Sequence, residues 1–528
     1  MHIVIIGGSV NAVTLAAHIR REDEKSRLTI LEKSAEIGIA SCGIPSFLQG
    51  SITNLKDLNI APPQLLQQVF NLNLLLNTEV ISIDHKNRKL QLNNQRYLNY
   101  DRLVFATPPL HIRPDIKGIL GDNIFTLHNS AAIQRANDYF WGFNAKRIII
   151  LGGGRQGIQT AISFAASKAS VTIIEQSSQL LKYTDPEFSK LIEKTLKKHN
   201  IKTITSTKIL SFDAKYVTLS NQDKLLYDMA IIATNSRIDV QLPSSTGIAL
   251  GEHGNIIVNE QMQTNIEGIF ACGECIEIKN SLSGQPFHIR NASLAAMSAK
   301  IAADNILGNT SVLRQAFNNE LIPIFDYYMG VCGCNEAELQ SAEISYRTVW
   351  LSTDMAENYI LPPSNLKLKL LFSPNGRILG LQIFGKQGVF ARLNTVAALI
   401  NKAGSVQDLS EMFLSYTPNM VRTKDSLNIL GSLALSIQLG DLRTIDFSNL
   451  KKGDILLNLG AYIAPQTYPC DIINIPFVKL RSQVTSLPKN QIIALYCRSG
   501  YSSYLAYCLL RAKGFDNIFL VNSHLNWK

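Results

Sequence analysis

No apolar run in this chain reaches the roughly 18–20 residues that cross a bilayer, so no membrane-spanning helix is expected. Cysteine is sparse, with eight in 528 residues, at 42, 272, 275, 332, 334, 470, 497 and 508. In a chain of this size that is no secreted disulfide framework; it leaves thiols of a reducing compartment, a few of them candidates for chemistry. Lys/Arg blocks and nucleic-acid-binding motifs are also missing. The net charge of +10 therefore points to phosphorylated cofactors rather than nucleic acid. The apolar start, Ile3 to Ile6, is too short for a signal core. It lacks a basic n-region and runs straight into Gly7-Gly8, as a buried first strand does. These absences predict a cytoplasmic protein with neither a membrane nor a nucleic-acid partner.

What is present is one supersecondary unit written twice. The first copy reads strand (His2 to Ile6), glycine turn, helix (about Val10 to Arg20) and strand (Leu28 to Leu31) ending in Glu32. The second begins with the strand Arg147 to Leu151, passes through Gly152, Gly154 and Gly157 into a helix, and closes with the strand Ser170 to Ile174 before Glu175. Glycine lets the backbone approach a pyrophosphate on a helix N-terminus, and the acid takes the ribose hydroxyls. Glu175 follows Gly152 by 23 residues, the spacing of a dinucleotide fingerprint. With Gln176-Ser177 after it and no arginine for a 2′-phosphate, the site favours NADH, with NADPH open as the alternative. The first turn is degraded: Gly7 is present, but Ser9 and Ala12 stand where the second and third glycines belong, while Glu32 keeps the acid.

Two cysteines sit in distinctive contexts. Cys42, in Ala40-Ser41-Cys42-Gly43-Ile44-Pro45, has Phe47 where an internal disulfide would need a second cysteine. A lone cysteine forms a mixed disulfide with a thiol substrate or cycles through a sulfenic acid, and a turn into a helix would favour the thiolate. Cys497 ends an apolar strand, Ile492 to Tyr496, and opens the loop Cys497-Arg498-Ser499-Gly500-Tyr501-Ser502-Ser503 before a helix expected over Tyr504 to Ala512. There, backbone N–H groups would converge on the sulfur. Cys272 and Cys275 form a Cys-x-x-Cys without a second ligand pair, so no metal site is expected.

Glu32-Lys33 followed by Ser41 to Pro45 resembles the coenzyme A-disulfide reductase and NADH oxidase branch of the pyridine nucleotide–disulfide oxidoreductases, over most of residues 1–433. Residues 441–528 resemble a rhodanese domain through the Cys497 loop and Gly514 to Ile518. The resemblance implies an α/β chain of two Rossmann-like FAD/NAD(P)-binding domains, an α+β dimerisation domain and a C-terminal rhodanese-like α/β domain. Its boundaries would be 1–111 and 246–320 (FAD), 112–245 (NAD), 321–433 (dimerisation) and 441–528, with a linker near Ser432 to Leu442.

By position it implies FAD at Gly7, Ser9, Ala12, Glu32, Lys33, Val80, Thr107, Gly273 and Glu274, and NADH at the second turn. Cys42 would be the redox cysteine and Cys497 the sulfane-sulfur carrier. Tyr416 would reach a partner subunit's flavin in a homodimer, and Thr14, His18, Arg21, Ser41 and Lys424 would follow the coenzyme A path. The implied reaction is NADH-driven reduction of CoA disulfide or persulfide. The alternatives are an NADH oxidase with a Cys42 sulfenic acid, or an eroded flavoprotein kept as a binding module.

The departures are specific. Glu274 replaces the flavin motif's aspartate, and Arg155 and Gln159 replace the nicotinamide gate and its glutamate. Pro108 replaces the glycine after Thr107, and Ile360 follows Tyr359 where a second tyrosine belongs. The usual Asp-Lys-Arg-Ile-Asp run reads Phe390 to Asn394. In the C-terminal module, Asn458-Leu459-Gly460 and Ser523-His524 replace that domain's Asp-x-Arg and glycine pair.

Overall fold

The computed structural model describes residues 1–234, 236–357, 359, 364–460, 469–497 and 500–522. Ile360, Arg498, Ser499, Ser523 and His524 lie outside the described residues. The chain divides into two compact units, Met1–Lys182 with Glu193–Phe317, and Tyr183–Ile192 with Asn318–Lys528.

The first unit holds two five-stranded parallel sheets. One runs Ile269–Ala271, Arg102–Phe105, His2–Ile6, Arg27–Leu31, Asn73–Leu75. The other runs Ile201–Ile204, Ser170–Ile174, Arg147–Leu151, Met229–Ile232, Ile124–Thr126. Both central strands are near-continuous β-branched runs, as a sheet covered on both faces requires. Each is followed by a helix that the turn feeds: α1 (Val10–Glu22) and, after the short α2 (Ile44–Leu48), α3 (Arg155–Ala166).

Ser9 caps α1 by accepting from Ala12 N, and Ala12, Leu15, Ala16 and Ile19 form its buried stripe. The helix runs two residues beyond Arg20. The buried Arg20 guanidinium donates to the carbonyls of Phe70, Asp23 and Ser26, and Asp23 N still bonds Ile19 O. Helix α4 (Pro186–Lys198) starts in the segment that belongs to the second unit, and α5 (Ala292–Ile306) packs against α1.

The second unit has an antiparallel sheet in the order Asn319–Ile324, Tyr327–Gly333, Ile378–Gly385, Asn365–Phe372, Arg347–Asp354. Its C-terminal sheet is parallel, in the order Thr444–Ile445, Ile518–Val521, Ile493–Tyr496, Ile455–Asn458, Asp471–Asn474.

The linker expected near Ser432 to Leu442 is instead mostly helix. α6 spans Ser426–Leu439, capped by Asp425 and closed by Gly440 at φ +81°. Its Leu427, Leu430, Leu433 and Ala434 are buried, and that apolar stripe holds the segment in a helix. The last helix, α7, covers Tyr501–Ala512 and begins three residues before the expected Tyr504.

Within this unit the Lys369 ammonium, with the side chain 1% exposed, is caged by three carboxylates: Asp185 at 2.5 Å, Glu187 at 2.6 Å and Glu336 at 3.0 Å. Across the sheet Lys369 pairs with Trp350 on one side and Gln382 on the other. Its ammonium lies 4.5 Å from the Trp350 ring, and the Gln382 amide bonds both the Asp185 carboxylate and its N–H.

Candidate functional site: two clasped nucleotide turns and two cysteines

The two glycine turns match bond for bond. Gly7 N donates to Leu31 O and Gly152 N to Ile174 O, both at 2.9 Å. Gly7 and Gly152 adopt φ +104° and +112°, and a Cβ on either would stand 2.7 Å from the carbonyl oxygen of Ala106 or Ala233. Only glycine fits both the dihedral and the approach. Each acid is held at both oxygens. Glu32 accepts from Gly8 N at 2.6 Å and Ser34 N at 2.7 Å, and Glu175 from Gly153 N at 2.7 Å and Ser177 N at 2.8 Å. The clasp fixes each carboxylate at the strand end, where ribose hydroxyls would meet it. Ser34 and Ser177 were missed as functional residues, although each follows its acid by two positions in both copies.

The degraded positions of the first turn find new roles. The Ser9 hydroxyl donates to Ala106 O at 2.7 Å while capping α1, and Ala12 is fully buried. Thr107 stands against Gly7, and Val80 opens a strand two residues after Thr78, whose N–H bonds Glu32 O. Lys33 is exposed, 3.4 Å from Asp239. Gly273, at φ +83°, donates its N–H to the Ser298 hydroxyl and faces the Asn11 side chain.

Beside it, burial pushes the Glu274 carboxyl up, and the charge of Arg155 offsets this only in part. Among the described residues no donor reaches that carboxylate, so a hydroxyl-bearing chain such as a flavin's ribityl arm suits it. A Cβ on Gly154 would meet nothing within 4 Å, which leaves room over the second turn. The residues present therefore fit FAD at the first turn and a nicotinamide dinucleotide at the second.

Cys42 is exposed, in a single 3₁₀ turn, Ser41–Gly43. Gly38 N, four residues earlier, bonds Gly8 O at 2.9 Å and ties this segment to the first turn. The helix behind it, α2, has five residues, too few for the dipole that the sequence suggested. α2 packs on α3, where the Ser163 hydroxyl donates to Pro45 O at 2.9 Å.

Ser41 is exposed beside Cys42, and Thr14, His18 and Arg21 share one face of α1. Tyr416 and Lys424 belong to the second unit. Tyr416, 49% exposed, lies 3.3 Å from the Tyr359 hydroxyl. Lys424 precedes Asp425, whose carboxylate forms a buried bidentate pair with Arg392, the arginine kept in the altered Phe390 to Asn394 run.

At the C-terminal sheet the Cys497 sulfur accepts from Gly500 N at 3.1 Å and Ser503 N at 3.2 Å. Gly500 takes φ +80° to turn its N–H inward. Ser503 lies in the first turn of α7, where N–H groups lack intrahelical partners, and the sulfur accepts that donor. Asn458 is buried and spends its amide on Asn474 and the Gly460 backbone. Cys272 and Cys275 are fully buried, and burial pushes Cys275 up to about 12. Both are core residues rather than a redox pair.

Residues 1–299 match the family model for pyridine nucleotide-disulphide oxidoreductases. The chain is 27% identical over 446 residues to the NADH oxidase of Methanocaldococcus jannaschii, covering 82% of this chain and 99% of that one. It is 26% identical over 434 residues to the NAD(P)H coenzyme A polysulfide/persulfide reductase of Pyrococcus horikoshii, covering 81% and 97%. Among solved structures, the reduced CoADR-RHD of Bacillus anthracis superposes with a TM-score of 0.94 at 26% identity, covering 100% of this chain and 97% of that one. With its two clasped turns and a family match over more than half its length, the chain belongs to the pyridine nucleotide-disulphide oxidoreductases, enzymes that work with FAD and a nicotinamide dinucleotide.

Proposed function

We propose that this chain reduces a coenzyme A-linked sulfur–sulfur bond, disulfide or persulfide, at the expense of NADH. The observation that carries this reading is an exposed Cys42 tethered to the first turn, with no second cysteine in its helix. The Cys42 thiolate attacks CoA disulfide, releases one CoA thiolate and keeps the other as a mixed disulfide. Bound FAD supplies the two-electron relay by which NADH reduces that bond. Cys42 and the second CoA then leave as thiolates.

The relative named a polysulfide/persulfide reductase supports a persulfide as acceptor. The relative named an NADH oxidase supports a second route, with oxygen as acceptor and Cys42 cycling through a sulfenic acid. Phe413, Tyr416 and Met420, exposed along one segment, support a homodimer. The cradle at Cys497 supports a rhodanese-type domain that holds sulfane sulfur as a persulfide.

Anaerobic NADH titration, followed by CoA disulfide, CoA persulfide or oxygen, tests the choice. Reoxidation by the CoA species and slowly by oxygen is expected. Reoxidation by oxygen alone overturns the proposal.

Two variants separate the sites. Glu175→Ala removes the carboxylate that accepts ribose hydroxyls and repels a 2′-phosphate. The NADH-to-NADPH ratio of kcat/KM should fall by about tenfold, measured by steady-state kinetics with each dinucleotide. A wild type that prefers NADPH would contradict the assignment. Cys497→Ser should cut thiosulfate-dependent sulfur transfer by roughly a hundredfold while CoA-disulfide reduction stays near wild type, because only the former needs a persulfide on that sulfur. Loss of CoA-disulfide reduction instead would exchange the roles of the two cysteines.

A further inference from the structure

We propose that Asp304 is a positioning residue that, through the His18 imidazole, aims the Arg21 guanidinium at the phosphates of a CoA-linked substrate; this rests on the coenzyme A path inferred for the α1 face. Thr14, His18 and Arg21 recur at helical spacing and share that face. The Thr14 hydroxyl turns back to Val10 O, so the face is organised around His18. Its Nε2 lies 2.8 Å from Asp304 Oδ1 on α5, and its Nδ1 lies 3.1 Å from Arg21 Nη2. A guanidinium only donates, so Nδ1 accepts and the ring proton sits on Nε2, directed at Asp304.

Asp304 is itself fixed. Burial raises its carboxyl, but hydrogen bonds from Lys300 Nζ, His18 Nε2 and Ser311 Oγ, each at 2.8 Å, outweigh this and hold it at about 2. The result is a chain of three groups in which an immobile anion orders a ring and the ring orders an exposed cation.

The order of the groups favours anion recognition over simple packing. Arg21 bonded directly to a carboxylate would be a surface ion pair with its charge spent. Bonded to a neutral imidazole, it is held in place with its full charge and its remaining donors turned outward, as phosphate recognition requires. Carboxylates steer metal-binding histidines by the same logic. No sequence motif marks Asp304, which lies 286 positions from its partner.

The test compares CoA disulfide with pantethine, the corresponding disulfide without the nucleotide phosphates, in wild type, Asp304→Ala, Asp304→Asn, Arg21→Ala and the Asp304→Ala/Arg21→Ala double variant. Asp304→Ala should raise KM for CoA disulfide about tenfold at unchanged kcat and move the pantethine KM less than about twofold. Asp304→Asn, a near-isosteric change whose amide can push the ring proton to Nδ1, should do the same. The double variant should be no worse than Arg21→Ala, because both changes break one chain.

Equal losses on both substrates, additive losses in the double variant, or an unmoved CoA-disulfide KM would each overturn the role of Asp304. A wild type that handles pantethine as well as CoA disulfide would overturn the coenzyme A path itself, and the inference with it.

Discussion

Lys369→Met should lower the stability of the second unit by about 3–5 kcal/mol, the cost of removing one member of a buried ionic cluster, or roughly 10 °C in Tm. Methionine fills most of the space, so the loss is electrostatic. Asp185, Glu187 and Glu336 stay together without the ammonium that balances them. The pH dependence follows from the same groups. Burial already raises the Glu187 carboxyl, with the Lys369 charge opposing it. A raised carboxyl costs stability above its unfolded pKa and recovers it as pH falls, so the deficit of the variant should shrink as pH is lowered toward the carboxylate range.

The three carboxylates also have ligand oxygens within 4.8 Å of one another, a set that suits a hard cation. Millimolar Mn²⁺ should therefore restore part of the lost Tm in Lys369→Met and none in wild type. Scanning calorimetry across pH, with and without the ion, reads all three effects. A variant as stable as wild type at neutral pH would show that the cage contributes no net stability.

Cys42→Ser should abolish CoA-disulfide reduction, by about a thousandfold or more, since a serine hydroxyl cannot exchange with a disulfide. Anaerobic NADH should still bleach the yellow absorbance of the variant, because hydride transfer from NADH precedes the thiol step. Stopped-flow spectroscopy separates the two half-reactions. Bleaching that fails along with turnover would mean that the Cys42 turn shapes the nucleotide sites. Turnover that survives would move the chemistry to another sulfur. The expected result is bleaching without turnover, because Cys42→Ser leaves the backbone bond from Gly38 N to Gly8 O and the bond from Ser163 to Pro45 O in place.

The nucleotide half was readable because its physics is local. A buried strand, a glycine that must take positive φ, a helix and an acid all follow one another within about 30 residues, and both strands of the second copy run as read, Arg147–Leu151 and Ser170–Ile174. Helix ends were less legible: α7 starts three residues before the expected Tyr504, with the Cys497 sulfur accepting a first-turn N–H, and α6 occupies most of the span expected as a linker. What composition cannot carry is pairing across long separations. Lys367 and Lys369 alternate in their strand as residues facing solvent would, yet Lys369 is buried because carboxylates from other parts of the chain arrive beside it. Asp304 was silent for the same reason.

The return of Tyr183–Ile192 to the second unit limits where the chain can be cut. A fragment starting at Asn318 would contain every strand of the antiparallel and C-terminal sheets and still lack Asp185 and Glu187, two of the anions around Lys369. It would also lose the Phe188 ring that stacks on Trp350. During synthesis these ten residues emerge well before the sheet they complete, and must wait for it. The second half of this protein is thus not a detachable module, and a linear boundary drawn between the halves would leave Lys369 with Glu336 alone of its three carboxylates.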